Sequence, residues 1–143
     1  MPWIVSQSMA CDNTYMVGEN PKKKILLIED DIFMGQLLGS ALERAGFELL
    51  AAKTGAEGIA KFQEAKPDII LLDLLLPDQS GFEALRQIRR LPGGAEAKVL
   101  VLSNLARESQ FEEAKRLGVV DYLVKVNFSL DEVLAKINET LAK

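Results

Sequence analysis

Five short, mainly apolar runs, each followed by a polar or charged residue and each separated from the next by helical periodicity, constrain this chain more than any other feature. The runs are Ile25–Ile28, Phe47–Ala52, Ile69–Leu72, Lys98–Leu102 and Val119–Val124. A short apolar run such as Ile25–Ile28 or Ile69–Leu72 reads as a strand buried on both faces. Helical stretches fall between the runs and after the last. The first carries Phe33, Leu37, Leu38, Ala41 and Leu42 and stops at Gly46; the last carries Leu130, Val133, Leu134, Ile137 and Leu141. Such spacing places each apolar set on a face that meets a sheet. Five strands alternating with five helices predict an α/β domain built on a parallel sheet covered on both faces.

Local chemistry agrees with that pattern. Thr54 with Glu57, Ser80 with Glu83 and Ser129 with Glu132 each have the spacing of a capping box at a helix start. Gly46 and Gly118 stand where the first and fourth helices should end. Residues 1–21 show no sustained periodicity and are expected to form a flexible N-terminal tail, with the folded domain over 22–143. The Lys22-Lys23-Lys24 run at its entrance reads as a solvated strand start.

Composition removes several function classes. Among 143 residues, 48% are hydrophobic and 27% charged, the balance of one globular domain. The single cysteine, Cys11, allows no internal disulfide, and the absence of histidine excludes a Ser-His-Asp triad and the usual zinc sites. Seventeen Lys and Arg against 21 Asp and Glu leave a net charge of −4, which disfavours nucleic acid as a partner. The apolar runs are far shorter than the ~20 residues of a membrane span, and Met1-Pro2-Trp3-Ile4-Val5 lacks the basic start and apolar stretch expected of a signal peptide. A soluble, cytoplasmic domain is expected.

In an open parallel sheet, ligands bind beyond the carboxyl ends of the strands. Those ends carry Glu29-Asp30-Asp31 after the first strand, Asp73 after the third, Ser103-Asn104 after the fourth and Lys125 after the fifth. If the first and third strands are neighbours, several carboxylates crowd one rim and repel unless a cation sits among them. An all-oxygen donor set suits Mg²⁺. Asp73, interrupting an otherwise apolar stretch, is the candidate nucleophile for phosphoryl transfer, with Lys125 and Ser103 as partners for the transferred group. Asp31 reads more simply as the residue that opens the first helix.

These residues resemble the signature of the response-regulator receiver domain, the phosphoacceptor module of two-component signalling. The resemblance runs from about Lys24 to Lys143 and rests on four segments: Ile25 to Asp31, Asp73 to Gly81, Leu102-Ser103-Asn104, and Asp121 to Lys125. It implies a flavodoxin-like, doubly wound sheet of strand order 2-1-3-4-5. It further implies that Asp73 is phosphorylated by a histidine kinase or phosphotransfer protein, with Mg²⁺ held by Asp30 directly, by Glu29 through water or more loosely, by Asp73 and by the backbone carbonyl of Leu75. Lys125 would pair with Asp73 and then with the phosphoryl group, which Ser103 would also bond. Tyr122 would act as the switch aromatic, reshaping the face of the fourth helix, fifth strand and fifth helix. A downstream protein target, and a weak pairing of two copies, would use that face. Such a chain is not an enzyme beyond its own phosphorylation and dephosphorylation.

Two positions depart from the family pattern. Lys125 is followed by Val126 where the family usually has a cis-proline, and Ser103 is followed by Asn104 where a very small residue is normal. A cis bond before valine would cost roughly 2.5–4 kcal/mol, so a trans bond is expected. Asn104 is expected to alter the lifetime of the phosphoryl group. A receiver-like interaction module that no longer cycles phosphate is the alternative reading. Two enzymes on the same architecture fit worse: an aspartate-nucleophile phosphatase would want an acid where Leu75 stands, and a flavin protein would want a phosphate-cradling loop where three acids stand.

Overall fold

The computed structural model describes residues 22–143, so the tail expected over 1–21 lies outside the described residues. Five strands and five helices alternate along the described residues: β1 (Lys24–Ile28), α1 (Ile32–Arg44), β2 (Glu48–Ala52), α2 (Gly55–Ala65), β3 (Ile69–Leu72), α3 (Gly81–Arg89), β4 (Val99–Ser103), α4 (Glu108–Arg116), β5 (Asp121–Val124) and α5 (Leu130–Ala142). A 3₁₀ turn, Lys125–Asn127, joins β5 to α5. All strand pairs are parallel and the sheet order is β2-β1-β3-β4-β5. This is the expected flavodoxin-like arrangement.

Side-chain alternation divides the sheet between two cores. Ile25 and Leu27 join Leu38, Leu42, Val133 and Ile137 on the face covered by α1 and α5. Leu26 and Ile28 join Phe62, Leu85 and Ile88 on the opposite face, under α2 and α3. Beyond it, Leu74, Phe82, Val101 and Ala114 continue the packing toward α4. Apart from Lys24 at the start of β1 and Ser103 at the end of β4, the three central strands are apolar because helices cover both their faces.

Element ends follow local chemistry, with some differences from expectation. Asp31 caps α1, its carboxylate accepting from the Met34 amide at 3.1 Å. Ser129 and Glu132 close a reciprocal capping box. Thr54 and Ser80 also cap their helices, but Glu57 reaches one residue further back to the Lys53 amide and Glu83 turns to Arg86. Gly46 and Gly118 adopt φ of 96° and 74°, the left-handed conformation that ends a helix cheaply only at glycine.

One apolar row was misplaced. Phe33 and Leu37, read as part of the buried face of α1, are 75% and 41% exposed. At about 100° per residue, Met34, Leu38, Ala41 and Leu42 form one stripe, and Phe33 and Leu37 lie roughly a quarter-turn or more away from it. Strands β2 and β5 also start later than expected, at Glu48 and Asp121, while β4 is shifted by one residue at each end.

Candidate functional site

Ile28 of β1 and Leu72 of β3 are paired in register, so the residues that follow them, Glu29 and Asp73, emerge side by side from the sheet. Backbone bonds fix both: the Glu29 amide donates to Ala52 O, and the Asp73 amide to Ile28 O. Both carboxylates are buried, while Asp30 is exposed at the rim. Glu29, Asp30 and Asp73 each offer an oxygen such that all three lie within 4.8 Å of one another. Three carboxylates this close repel strongly, and an oxygen-only set of this kind fits a hard divalent cation.

Lys125, placed at the end of β5 across the sheet, reaches into this cluster. Its ammonium lies 2.6 Å from Glu29 Oε1 and 3.2 Å from Asp73 Oδ2. Burial above all, together with the neighbouring Asp73, pushes the Glu29 carboxyl up to about 7, against the pull of Lys125. Burial is also the largest influence on Lys125 and favours its neutral form. The hydrogen bond from Lys125 to Glu29 and the charges of Asp73 and Glu29 outweigh it, so the ammonium is held above its ordinary range. Lys125 is thus a counter-ion shared by two acids.

The remaining polar groups are ordered by the loops after β3 and β4. Leu75 donates its amide to Asp73 Oδ1 at 3.3 Å, and its side chain is 60% exposed. Ser103 is fully buried at the end of β4, and its Oγ accepts from the Leu105 amide at 3.3 Å. Tyr122 in β5 is half-buried; its hydroxyl donates to Leu105 O, and its ring meets Phe111 of α4 edge-on at 4.5 Å. Burial, then the field of Asp73, raises the phenol's pKa.

The loop after Asp73 is held from two sides. Gly81 approaches the backbone so closely that a Cβ would stand 2.2 Å from Asp73 O, which leaves room only for glycine. Asp78 accepts from the Gly55 and Ala56 amides at 2.9 and 3.0 Å, tying this loop to the start of α2. These backbone bonds, led by that from Gly55, lower the Asp78 pKa to about 2. The spacing did not reveal this tie, because Gly55 and Asp78 are 23 residues apart and a side chain joins them to a backbone amide. The second missed contact is Asn104 Oδ1 accepting from the Val126 amide at 3.2 Å. It joins the two positions that depart from the family pattern. All described peptide bonds are trans, as expected for Lys125-Val126.

A parallel sheet in this strand order, with acids, a lysine and a buried hydroxyl gathered at its carboxyl edge, defines a flavodoxin-like signalling domain of the CheY type. The family model described as response regulator receiver domain matches residues 25–138, and the chain belongs to that family. The chemotaxis protein CheY of Bacillus subtilis is 34% identical over 119 residues, covering 82% of this chain and 97% of that protein. A CheY-like receiver domain protein from Methanospirillum hungatei superposes with a TM-score of 0.80 at 28% identity, covering 85% of this chain and 95% of that one. The receiver domain of the sensor histidine kinase PA1611 of Pseudomonas aeruginosa, 24% identical, shares the fold with a TM-score of 0.78 over 86% and 100% of the two chains. That structure has a magnesium ion coordinated in its active site cleft. The chain is accordingly a phosphoacceptor receiver of two-component signalling. Among the described residues, no helix is long and apolar enough to cross a membrane.

Proposed function

We propose that Asp73 is the phosphoacceptor and that Glu29, Asp30, Asp73 and the Leu75 carbonyl hold Mg²⁺. The observation that carries this reading is the convergence of three carboxylates within 4.8 Å of one another beside a single shared lysine. Such a cluster is costly without a cation, and its oxygen-only donors suit Mg²⁺. When bound, Mg²⁺ would neutralise the carboxylates and the oxygens of the incoming phosphoryl group.

A carboxylate oxygen of Asp73 attacks the phosphorus of a phosphohistidine on a histidine kinase or phosphotransfer protein. The P–N bond breaks as the acyl phosphate forms, and the imidazole leaves with a proton from solvent. Lys125 is already within 3.2 Å of Asp73 and moves its charge onto a phosphoryl oxygen, while the Ser103 hydroxyl turns to donate to another. Water later attacks the same phosphorus, the P–O bond to Asp73 breaks, and inorganic phosphate leaves as Asp73 returns to a carboxylate. The chain therefore turns over no external substrate beyond its phosphodonor.

The added charge redirects the loop after β4, because Ser103, Leu105 and Tyr122 share hydrogen bonds there. Tyr122 and the face of α4, β5 and α5 transmit the change to a downstream protein in the cytoplasm, and a weak pairing of two copies would use the same face. Incubation with Mg²⁺ and acetyl phosphate tests the reading. A phosphoryl mass gained by the parent and not by Asp73→Asn supports it; no gain in the parent leaves an interaction module that does not cycle phosphate.

A further inference from the structure

We infer that Asn104 is a positioning residue for Lys125, an inference that rests on Asp73 being the acceptor. Asn104 follows Ser103 and Val126 follows Lys125, and the Asn104 side-chain oxygen accepts from the Val126 amide at 3.2 Å. The turn that carries Lys125 runs to Phe128, which packs against the core and whose amide donates to Lys125 O at 3.3 Å. Val126 between them is 78% exposed. A proline at this position would fix the backbone by its ring but would offer no N–H. Valine lacks the ring and presents the N–H, and Asn104 supplies the acceptor that restrains it. The bond therefore spans the two loops whose residues, Ser103 and Lys125, must meet the same phosphoryl group. It keeps the base of the long Lys125 side chain where its ammonium reaches both Glu29 and Asp73.

The test uses the full chain with two exposed-site variants, Asn104→Leu, which keeps the bulk and removes the acceptor, and Asn104→Asp, which keeps an acceptor oxygen at the same reach. Hydrogen exchange at the Val126 amide is read in the resting protein. Phosphorylation by acetyl phosphate with Mg²⁺ is read in the parent and Asn104→Leu as a maximal rate and a half-saturating concentration. Loss of one hydrogen bond of ordinary strength predicts Val126 exchange about three- to tenfold faster in Asn104→Leu and parent-like in Asn104→Asp. The maximal rate of Asn104→Leu falls by about three- to tenfold while half-saturation moves by less than about twofold, because Lys125 acts on the transferring group and not on donor binding. Equal Val126 exchange in the parent and Asn104→Leu, or an Asn104→Leu rate equal to the parent's, overturns the inference. A parent that takes no phosphoryl group overturns the acceptor reading beneath it, which separates the two failures.

Discussion

Glu29 Oε1 lies 2.6 Å from the Lys125 ammonium, closer than the 3.2 Å that separates Lys125 from Asp73. The buried glutamate is therefore the stronger partner of the lysine, and Asp73 shares a counter-ion whose closest contact is elsewhere. On the proposed reading, that division leaves Asp73 the freer nucleophile. The pairing also gives Lys125 a part in the stability of the fold, beside the chemistry proposed for it. Removing one member of a buried ion pair leaves an uncompensated charge, so Lys125→Ala should cost about 3 kcal/mol at pH near 8, where Glu29 is ionised. The loss should shrink toward pH 5, where Glu29 takes up a proton. Urea unfolding at the two pH values without Mg²⁺ checks this.

Asp30 is the exposed member of the acid cluster and makes no contact with Lys125 among the described ion pairs. On the proposed reading its contribution is charge offered to a cation. A unit charge at ~4 Å is worth ~4 kcal/mol at an effective dielectric near 20, before solvation offsets most of it. Asp30→Asn should therefore weaken Mg²⁺ binding by about tenfold or more with little change in metal-free stability. Calorimetric Mg²⁺ titration and a metal-free thermal melt read the two effects separately.

Asp78 gives the acid limb of the stability curve a specific origin. Its folded pKa, about 2, lies below the ordinary 3.8, so the unfolded chain binds the proton more readily than the folded one. The stabilisation is complete above the unfolded value and is lost as pH falls from about 4 toward about 2. Asp78→Asn removes this titration. Between pH 5 and pH 2.5 the urea midpoint of Asp78→Asn should fall less than the parent's; equal falls would assign the acid limb to other carboxylates.

Two glycines should respond to alanine in opposite directions. A Cβ on Gly81 meets the Asp73 backbone at 2.2 Å, and a carbonyl oxygen cannot give way as a side-chain tip can. Gly81→Ala should cost about 1–3 kcal/mol and slow phosphorylation of Asp73. Gly35, inside α1, has nothing within 4 Å of the same atom, so Gly35→Ala should stabilise by about 0.5–1 kcal/mol through helix propensity alone. Chemical denaturation of both variants is sufficient.

Tyr122→Phe keeps the ring against Phe111 and deletes the bond to Leu105 O. Its expected cost is about 1 kcal/mol. The larger consequence is kinetic freedom of the loop after β4, seen as faster hydrogen exchange at the Leu105 amide, whose acceptor is Ser103 Oγ. Unchanged exchange there would separate Tyr122 from the switch.

The sheet was legible because its signal is local. Ile25–Ile28 and Ile69–Leu72 are too short for helices and too apolar for a half-exposed strand, and they occupy the buried centre as expected. The strand order came through the family resemblance, since periodicity alone does not say which strands are neighbours. In α1 the apolar content was read correctly and its direction was not: Phe33 and Leu37 repeat with helical spacing, but off the stripe that meets the sheet. At the site, Glu29, Asp30, Asp73, Ser103 and Lys125 were each visible as polar residues ending apolar runs, and the structure brings the three acids and the lysine together. The closeness of Lys125 to Glu29, the Asp78 tie to α2 and the Asn104–Val126 bond were not legible. Each joins segments more than 20 residues apart through one side chain, and no spacing rule encodes such a contact.

Locating the phosphoryl group tests the central claim most directly. The parent is loaded with acetyl phosphate and Mg²⁺ and reduced with borohydride, which converts an aspartyl phosphate to homoserine, and the digest is sequenced by mass spectrometry. Homoserine at position 73 alone is the predicted result. Reduction at Glu29 or Asp30, or at no residue of a loaded and folded protein, would contradict the account.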